Sequence, residues 1–243
     1  MITRTNKKIF FILTILITLI QTVFAQNEES IMKEAFDRFS KSPFSSIYSS
    51  GGAFYSGDDV DQMPLIVNYY MNGTSKYISA ADGLFGSAIM NAQVINNQMT
   101  LNIAEEDAPI KDNFNNFSLE APIMRFPKVY ADILDYKFID LSKKIVSSNI
   151  TLGKNWHTLK IGYSDRVDTI VFSASTYRIR NMSIAFMNHS VDITLGSYTT
   201  INNIPYPKEF IIKSASDKRE LRYNVTNVLT GDSAKREAGK LGW

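Results

Sequence analysis

The spacing of hydrophobic side chains changes early in the chain from a helical period to a strand period. Ile31, Ala35 and Phe39 recur every four residues, which predicts one apolar face of a helix over Ile31–Lys41. Pro43 ends this helix, because a residue that precedes proline avoids helical backbone angles. We therefore expect the chain to enter a sheet after one N-terminal helix.

From residue 44 onward, apolar and polar side chains alternate, which is the pattern of a strand with one buried face. Asn72-Gly73 and Asn96-Asn97 fit tight hairpin turns, because Asn and Gly tolerate positive φ. Residues 104–128 break the alternation, Val129–Lys137 predicts a short helix, and Leu141–Val146 extends it or forms a further turn. The alternating runs predict these strands: Ser46–Tyr55, Leu65–Met71, Lys76–Ala81, Phe85–Ile95, Gln98–Ile103, Trp156–Tyr163, Val167–Ser173, Tyr177–Met187, Val191–Tyr198, Glu209–Ala215 and Glu220–Leu229.

These runs predict a mainly β protein with a few helices, in the α+β class. We expect an incomplete antiparallel β-barrel of about eleven strands, covered by the N-terminal helix and short mid-chain helices. A single domain is expected over residues 26–230, since all-β domains can exceed about 200 residues. Residues 231–243 are expected to form a loose C-terminal tail.

The first 25 residues have the three parts of a secretory signal. Arg4, Lys7 and Lys8 precede an apolar run over Ile9–Ile20, and Val23-Phe24-Ala25 places small or modest side chains at the two positions that a signal peptidase reads. We expect cleavage after Ala25 and a periplasmic protein. The alternatives are secretion, or tethering to the membrane by an uncleaved signal.

Charge and cysteine content agree with export and give no sign of nucleic-acid binding. The chain has 26 basic and 24 acidic residues, and removal of the signal leaves 23 basic residues against the same 24 acidic ones. No general attraction to nucleic acid follows from this balance. The chain has no cysteine, so neither disulfides nor a thioether-linked lipid is available to it.

The sequence carries no recognisable set of catalytic or metal-binding residues. His157 and His189 are its two histidines, and they lie far apart in the chain. Glu105, Glu106 and Asp107 lack the spacing and glycine of a calcium loop and fit a solvated loop. Nucleophile-elbow, phosphate-loop and dinucleotide motifs are also absent. We therefore expect a binding protein that is not an enzyme and has no cofactor.

One strand has an unusual pair of faces. Gly86, Ala88, Met90, Ala92 and Val94 share a face of the Phe85–Ile95 strand, and these side chains are small or flexible. Such a face leaves room either for a ligand or for close packing of the N-terminal helix. The sequence leaves both interpretations open.

Two segments carry a resemblance to a known family. Residues 82–101 (DGLFGSAIMNAQVINNQMTL) and the strands over Tyr198–Leu229, with Pro205 and Pro207, resemble the LolA/LolB-like lipoprotein-carrier superfamily. The resemblance implies an incomplete antiparallel barrel closed by helices around an apolar cavity. It implies a protein that shuttles lipidated proteins or binds lipids in the periplasm. Gly83-Leu84-Phe85 matches, by position, the protruding apolar loop of the receptor members.

We therefore predict a periplasmic binding or carrier protein for lipid or lipoprotein acyl chains. The alternative is an envelope sensor or protein-interaction module on the same fold, without transport. The expected partners are a lipid or acylated lipoprotein and an envelope membrane protein, with no nucleic acid, and the protein is expected to be a monomer. The residues predicted to line the cavity are Phe36, Phe39, Leu84, Phe85, Ala88, Met90, Ala92, Val94, Met99, Leu101, Ile133 and Leu134.

Overall fold

The computed structural model describes residues 27–57, 60–104, 107–114, 127–187, 189–214 and 219–243. The predicted signal segment lies outside these residues. Within the described ranges, each helix is too short or too polar to cross a membrane.

The strands of the described ranges form one open, unclosed antiparallel sheet. The two halves of the chain are each a meander, and they join where the first strand pairs with the last: the order is β6-β5-β4-β3-β2-β1-β13-β12-β11-β10-β9-β8-β7. The elements are α1 (27–39), β1 (Ser46–Gly57), β2 (Val60–Asn72), β3 (Ser75–Asp82), β4 (Ala88–Ile95), β5 (Gln98–Ile103), β6 (Ile110–Asn113), α2 (Pro127–Leu134), β7 (Ile145–Thr151), β8 (Trp156–Tyr163), β9 (Val167–Ser173), β10 (Ile179–Ala185), β11 (Ser190–Ile201), β12 (Ile204–Ser214), β13 (Glu220–Thr230) and α3 (Gly231–Lys240).

The predicted antiparallel sheet is confirmed, with thirteen described strands rather than about eleven. The predicted bounds of β5, β8 and β9 are exact. The two additional strands, β6 and β7, are the outermost strands of the sheet. Each has a partner on one side only, so it needs little apolar patterning, and β7 (IVSSNIT) is half polar. The alternative of a further turn after Leu141 is confirmed over residues 141–143, but its extent to Val146 is wrong, because Ile145 already begins a strand.

The helix bounds also differ from the sequence prediction. The first helix covers residues 27–39 rather than Ile31–Lys41, so it already includes the polar residues before Ile31. The second ends at Leu134 rather than Lys137. Tyr136 has φ 57°, a left-handed conformation that cannot continue an α-helix.

We call the sheet face that packs against α1 and α2 the inner face. Phe39 of α1 and Ile133 of α2 are buried in one apolar cluster with side chains from nearly every strand. Bulky residues dominate this cluster, and large apolar side chains are the main source of stability in a domain core. The largest fully buried side chains include Tyr69, Phe172, Tyr206, Phe210 and Tyr223.

The opposite, outer face carries the third helix. Ala234 and Ala238 lie one turn apart on α3 and are buried against Tyr48 and Tyr70. Residues 231–243 are therefore not a loose tail. A stack of aromatic rings fixes the end of the chain: Tyr70 lies 6.1 Å from Tyr77, and Tyr77 lies 5.9 Å from Trp243, centroid to centroid.

A β-bulge in β13 adapts one strand to both faces. Ser50 pairs with Asn227 and Gly51 pairs with Val225, so Thr226 is an extra residue in β13. The Thr226 hydroxyl donates to the Ser50 carbonyl at 3.1 Å. Strict alternation over Glu220–Leu229 predicts one shared face for Leu221, Tyr223, Val225 and Leu229. Because the extra residue reverses the alternation, Leu229 instead joins the cluster under α3, while Leu221 lies on the inner face.

Gly51 lies opposite this bulge and has no space for a side chain. A Cβ atom there would overlap the Asn224 carbonyl oxygen and lie 3.0 Å from the Tyr223 ring. We expect Gly51→Ala to lower the free energy of unfolding by about 2 kcal/mol, the usual cost of overpacking. Chemical denaturation measures this change.

Gly52 provides the matched control, because a Cβ atom there meets nothing within 4 Å. Gly52→Ala is expected to leave stability unchanged or to raise it by about 0.5 kcal/mol. Equal stability of the two variants would contradict the packing argument at the bulge.

Candidate functional site

The candidate site is the inner face of β3, β4 and β5 together with the helices that share its apolar cluster. Register pairs Ala92 with Leu101 and Val94 with Met99, so neighbouring strands present apolar side chains side by side. All of them belong to the apolar cluster that includes α1 and α2. Nine predicted cavity residues belong to this cluster or pack against it: Phe36, Phe39, Met90, Ala92, Val94, Met99, Leu101, Ile133 and Leu134.

The other three predicted cavity residues lie away from this cluster. Leu84 is 73 % exposed and Phe85 is 85 % exposed, in the turn between β3 and β4, and Ala88 is exposed at the start of β4. The turn has a defined structure, because an Asp82 carboxylate oxygen accepts the N–H groups of Leu84 at 2.7 Å and Phe85 at 2.9 Å. The structure therefore holds two apolar side chains outward at the end of a hairpin.

Residues 127–140, which we call the cover segment, consist of α2 and the six residues that follow it. The cover segment is joined to α1 through backbone hydrogen bonds, since Phe138 and Ile139 donate to the Phe39 carbonyl at 2.8 and 2.9 Å. It is joined to the sheet by the Tyr206 hydroxyl, which donates to the Leu134 carbonyl at 3.0 Å. These bonds satisfy carbonyls at the ends of both helices, which lack partners within the helix.

A buried polar triad fixes the cover segment at the end of α2. Asp135 is buried and accepts hydrogen bonds from the Tyr69 hydroxyl of β2, at 2.5 Å, and from the Lys76 ammonium of β3. Burial raises the pKa of Asp135, and the contacts with Lys76 and Tyr69 act in the opposite direction. A buried carboxylate is tolerated only with such partners, so the triad fixes the position of this part of the cover segment.

A second polar cluster fixes the other end of α2. The Lys128 ammonium lies 2.5 Å from Asp132 and 3.8 Å from Asp140. The Arg166 guanidinium lies 3.7 Å from Asp140 and 3.0 Å from Asp168. Burial, which outweighs the attraction of Arg166, raises the pKa of Asp168 to about 6.

The sequence interpretation missed both clusters, although strand alternation contains a signal for them. Lys76 has the same parity in its strand as Ile78, and Asp168 has the same parity as Ile170. A charged residue at an inner-face position needs a buried counterion, and that requirement points to a partner in the covering elements. His157 also lies at an inner-face position. It is buried and has a structural partner, because its Nδ1 accepts the Gly153 N–H at 3.3 Å.

The described residues contain no group of three or more His, Asp or Glu placed to hold a metal ion. The site therefore offers an apolar surface, a cover segment attached through hydrogen bonds and ion pairs, and an exposed apolar turn at one end of the sheet.

Comparison with solved structures identifies the fold. A LolA superfamily protein from Nitrosomonas europaea superposes with a TM-score of 0.60 at 11 % identity, over 84 % of this chain and 93 % of that one. A domain named as an outer membrane lipoprotein-sorting protein, from Vibrio parahaemolyticus, gives 0.59 at 9 % identity, over 88 % and 98 %. A DUF1329 family protein from Desulfovibrio piger gives 0.55 at 9 % identity, over 77 % and 86 %.

No protein-family model matches the chain, and no curated protein matches it in sequence. The structural similarity nevertheless spans most of each chain. The chain therefore has a LolA-like fold, which confirms the resemblance found in the sequence.

The triad around Asp135 leads to a test of how the cover segment is attached. Lys76→Met is expected to lower the free energy of unfolding by about 3 kcal/mol, because it leaves a buried carboxylate without its cation. Lys76→Met/Asp135→Asn should recover most of this loss, since the amide is neutral and still accepts the Tyr69 hydroxyl. Chemical denaturation of the wild type, Lys76→Met, Asp135→Asn and the double variant gives a complete double-mutant cycle.

Hydrogen exchange distinguishes local from global effects in the same variants. Lys76→Met should speed amide exchange over residues 127–140 more than in the central strands β1 and β13. Uniform acceleration across the chain would contradict a specific role of the triad in holding the cover segment.

Proposed function

We propose that this protein, with its LolA-like fold, is a periplasmic binding or carrier protein for lipid or lipoprotein acyl chains. In this proposal the acyl chain lies between the inner face of the sheet and the cover segment. The same export signal that predicts the periplasm also predicts removal of residues 1–25.

The observation that carries the proposal is the way in which the inner face is covered. The sheet is unclosed, and part of its apolar inner face is covered by α2, a helix of only eight residues. An isolated helix of this length is not stable in water, so α2 depends on its contacts with the sheet. An acyl chain that takes over those apolar contacts can displace the cover segment without unfolding the strands.

The energetics suit an apolar guest. Burial of an acyl chain gains about 0.8 kcal/mol for each CH₂ group, so a long chain gains on the order of 10 kcal/mol. Met90 and Met99 adapt easily to an irregular ligand, and Ala80 and Ala92 occupy little volume beside them. These side chains are buried in the same apolar cluster as the cover segment, so in this proposal the guest replaces contacts within that cluster.

The exposed turn has a place in this proposal. Leu84 and Phe85 project from the β3–β4 turn where a bilayer or a partner protein can contact them. In a carrier, they would contact the membrane from which the acyl chain is taken or to which it is delivered. In the alternative, an envelope sensor, the same two side chains would contact a membrane protein, and crosslinking in the envelope would recover a stable stoichiometric partner.

An experiment on Ala92 tests the binding site itself. Ala92 is fully buried on the inner face, so Ala92→Phe is expected to fill the space that the guest takes. We expect at least a tenfold loss of affinity for a fluorescent fatty acid, measured by titration, which corresponds to about 1.4 kcal/mol. Ala88→Phe, on the exposed end of the same strand, is the matched control and should bind like the wild type.

Native mass spectrometry of protein purified from its own cell envelope provides a second measurement. A co-purified lipid or acylated peptide is expected. The proposal fails if the wild type binds no fatty-acid probe and carries no lipid, or if Ala92→Phe and Ala88→Phe bind the probe equally well.

The role of the turn is tested separately from the binding site. Leu84→Ser/Phe85→Ser is expected to reduce binding to lipid vesicles at least fivefold in a flotation assay, because both apolar contacts are lost. Its affinity for the fatty-acid probe should not change. Unaltered vesicle binding would exclude this turn as the membrane contact.

A further inference from the structure

A cavity of about 340 Å³ opens at the end of the sheet opposite to the β3–β4 turn. It lies between the C-terminal end of α1, the bend at Tyr136, the β9–β10 turn and the β11–β12 turn. Its volume falls within the range of small-molecule sites. Phe39 is the only one of the twelve predicted cavity residues that lines it. The sequence analysis therefore did not find this site.

The floor of the cavity is aromatic and rigid. Phe39 and Tyr136 are buried, and both belong to the apolar cluster of the inner face. Phe39 packs edge to face against Phe172 at 5.4 Å, which fixes its ring. The cavity therefore has a preformed apolar surface against which a ligand can pack.

Arg38 is held in place at the rim of this cavity. Its Nε and Nη2 atoms donate to one Glu34 oxygen at 3.0 and 2.8 Å, and the centre of its guanidinium lies 4.5 Å from the centroid of the Tyr177 ring. The Tyr177 hydroxyl donates to the other Glu34 oxygen at 2.8 Å. Glu34 thus orients Arg38 from outside the cavity, and an arginine oriented in this way loses little entropy when it binds an anion.

The cavity presents two cationic side chains to an anion, and one of them has no ion pair among the described residues. Arg38 and Lys41 contribute two positive charges and Asp37 contributes one negative charge. Lys41 is exposed at the rim and forms no ion pair with any other described residue. The lining itself has a net charge of about +1, but Glu34 beside it pairs with Arg38, so Lys41 is the cation that is available to a ligand.

Strained backbone converges on the same place. Tyr136 has φ 57° and Tyr177 has φ 56°, both in the left-handed region, whereas Asn203 at φ 65° lies in a tight turn where asparagine tolerates this conformation. All three line the cavity. Left-handed conformations of bulky residues are uncommon and concentrate at functional sites, where the surrounding fold maintains them.

We propose that this cavity binds the anionic group of a small amphiphile, a carboxylate or phosphate attached to an apolar portion. Arg38 and Lys41 hold the anion, and Phe39 and Tyr136 pack against the apolar portion. This site goes beyond the proposed acyl-chain function and does not depend on it. The ligand is either the head group of a bound lipid or a separate small molecule, and both have this chemistry.

Titration calorimetry with hexyl phosphate tests the site. The full mature chain should bind hexyl phosphate at least tenfold more tightly than inorganic phosphate, because the aromatic floor contributes. Arg38→Gln/Lys41→Gln should weaken hexyl phosphate binding at least tenfold. Lys33→Gln/Arg180→Gln removes the same charge from residues that do not line the cavity and should bind like the wild type.

A single substitution keeps the test valid if the double variant does not fold. Lys41 has no partner in the described structure, so Lys41→Gln should fold normally and weaken binding about threefold or more. The proposal is overturned if the wild type does not bind hexyl phosphate, if inorganic phosphate binds as tightly, or if a folded Arg38/Lys41 variant binds like its control.

A longer chain distinguishes the two sources of the ligand. Decyl phosphate, used below its critical micelle concentration, should bind more tightly than hexyl phosphate and displace the fluorescent fatty acid if the cavity receives a lipid head group. It should bind no more tightly if the cavity receives a separate small molecule. If the fatty-acid probe does not bind at all and hexyl phosphate does, the acyl-chain function fails and this site stands.

Discussion

An open sheet with one apolar face must have that face covered, and this constraint determines most of the remaining structure. A closed barrel would bury its interior with strands alone, whereas here the outermost strands β6 and β7 are not joined to each other in the described sheet. Helical segments therefore supply the missing apolar contacts. Their backbone ends carry unpaired polar groups, so each covering element needs hydrogen-bond partners on the sheet or on its neighbour.

Tyrosine hydroxyls meet that need repeatedly. Tyr69 and Tyr206 place large apolar rings in the core and direct their hydroxyls to the end of α2, at Asp135 and Leu134. Tyr163 accepts the Asp140 N–H at 3.2 Å further along the same segment. One residue type thus provides both the apolar packing of the inner face and the polar attachment of the elements above it.

The sequence predicts the strands well and their environment less well. Alternation identified eleven strands, and it placed Met90, Ala92 and Val94 on the inner face correctly. It could not locate residue 226 as a bulge, because an extra residue changes the pairing without changing the local composition, so Leu229 was assigned to the wrong face. The sequence analysis missed long-range ion pairs such as Lys76 with Asp135. Hydrophobic periodicity shows which face of one helix or strand is buried, but it does not show which other element packs against that face.

Proline positions show the same limit. The sequence places the start of β12 at Glu209, yet the strand begins at Ile204 and includes Pro205 and Pro207. These prolines lie in the part of β12 that pairs with β11 only, because β13 pairs with Glu209–Lys213. A strand segment with a neighbour on one side only tolerates proline, since a nitrogen on its open side has no ladder bond to lose. The neighbouring strand, which the local sequence does not reveal, decides whether proline is tolerated.

The way in which α2 is attached determines how the inner face can open. Polar clusters hold both of its ends, with Lys128 and Asp132 near the first and Asp135 at the second. The backbone bonds to Phe39 join α2 to α1, so movement of the cover segment also strains the end of α1. That end of α1 carries Arg38 and Lys41 at the rim of the small cavity. If both proposals hold, an anion at this rim acts on the same structural unit that an acyl chain displaces, and occupancy of one site alters the free energy of binding at the other.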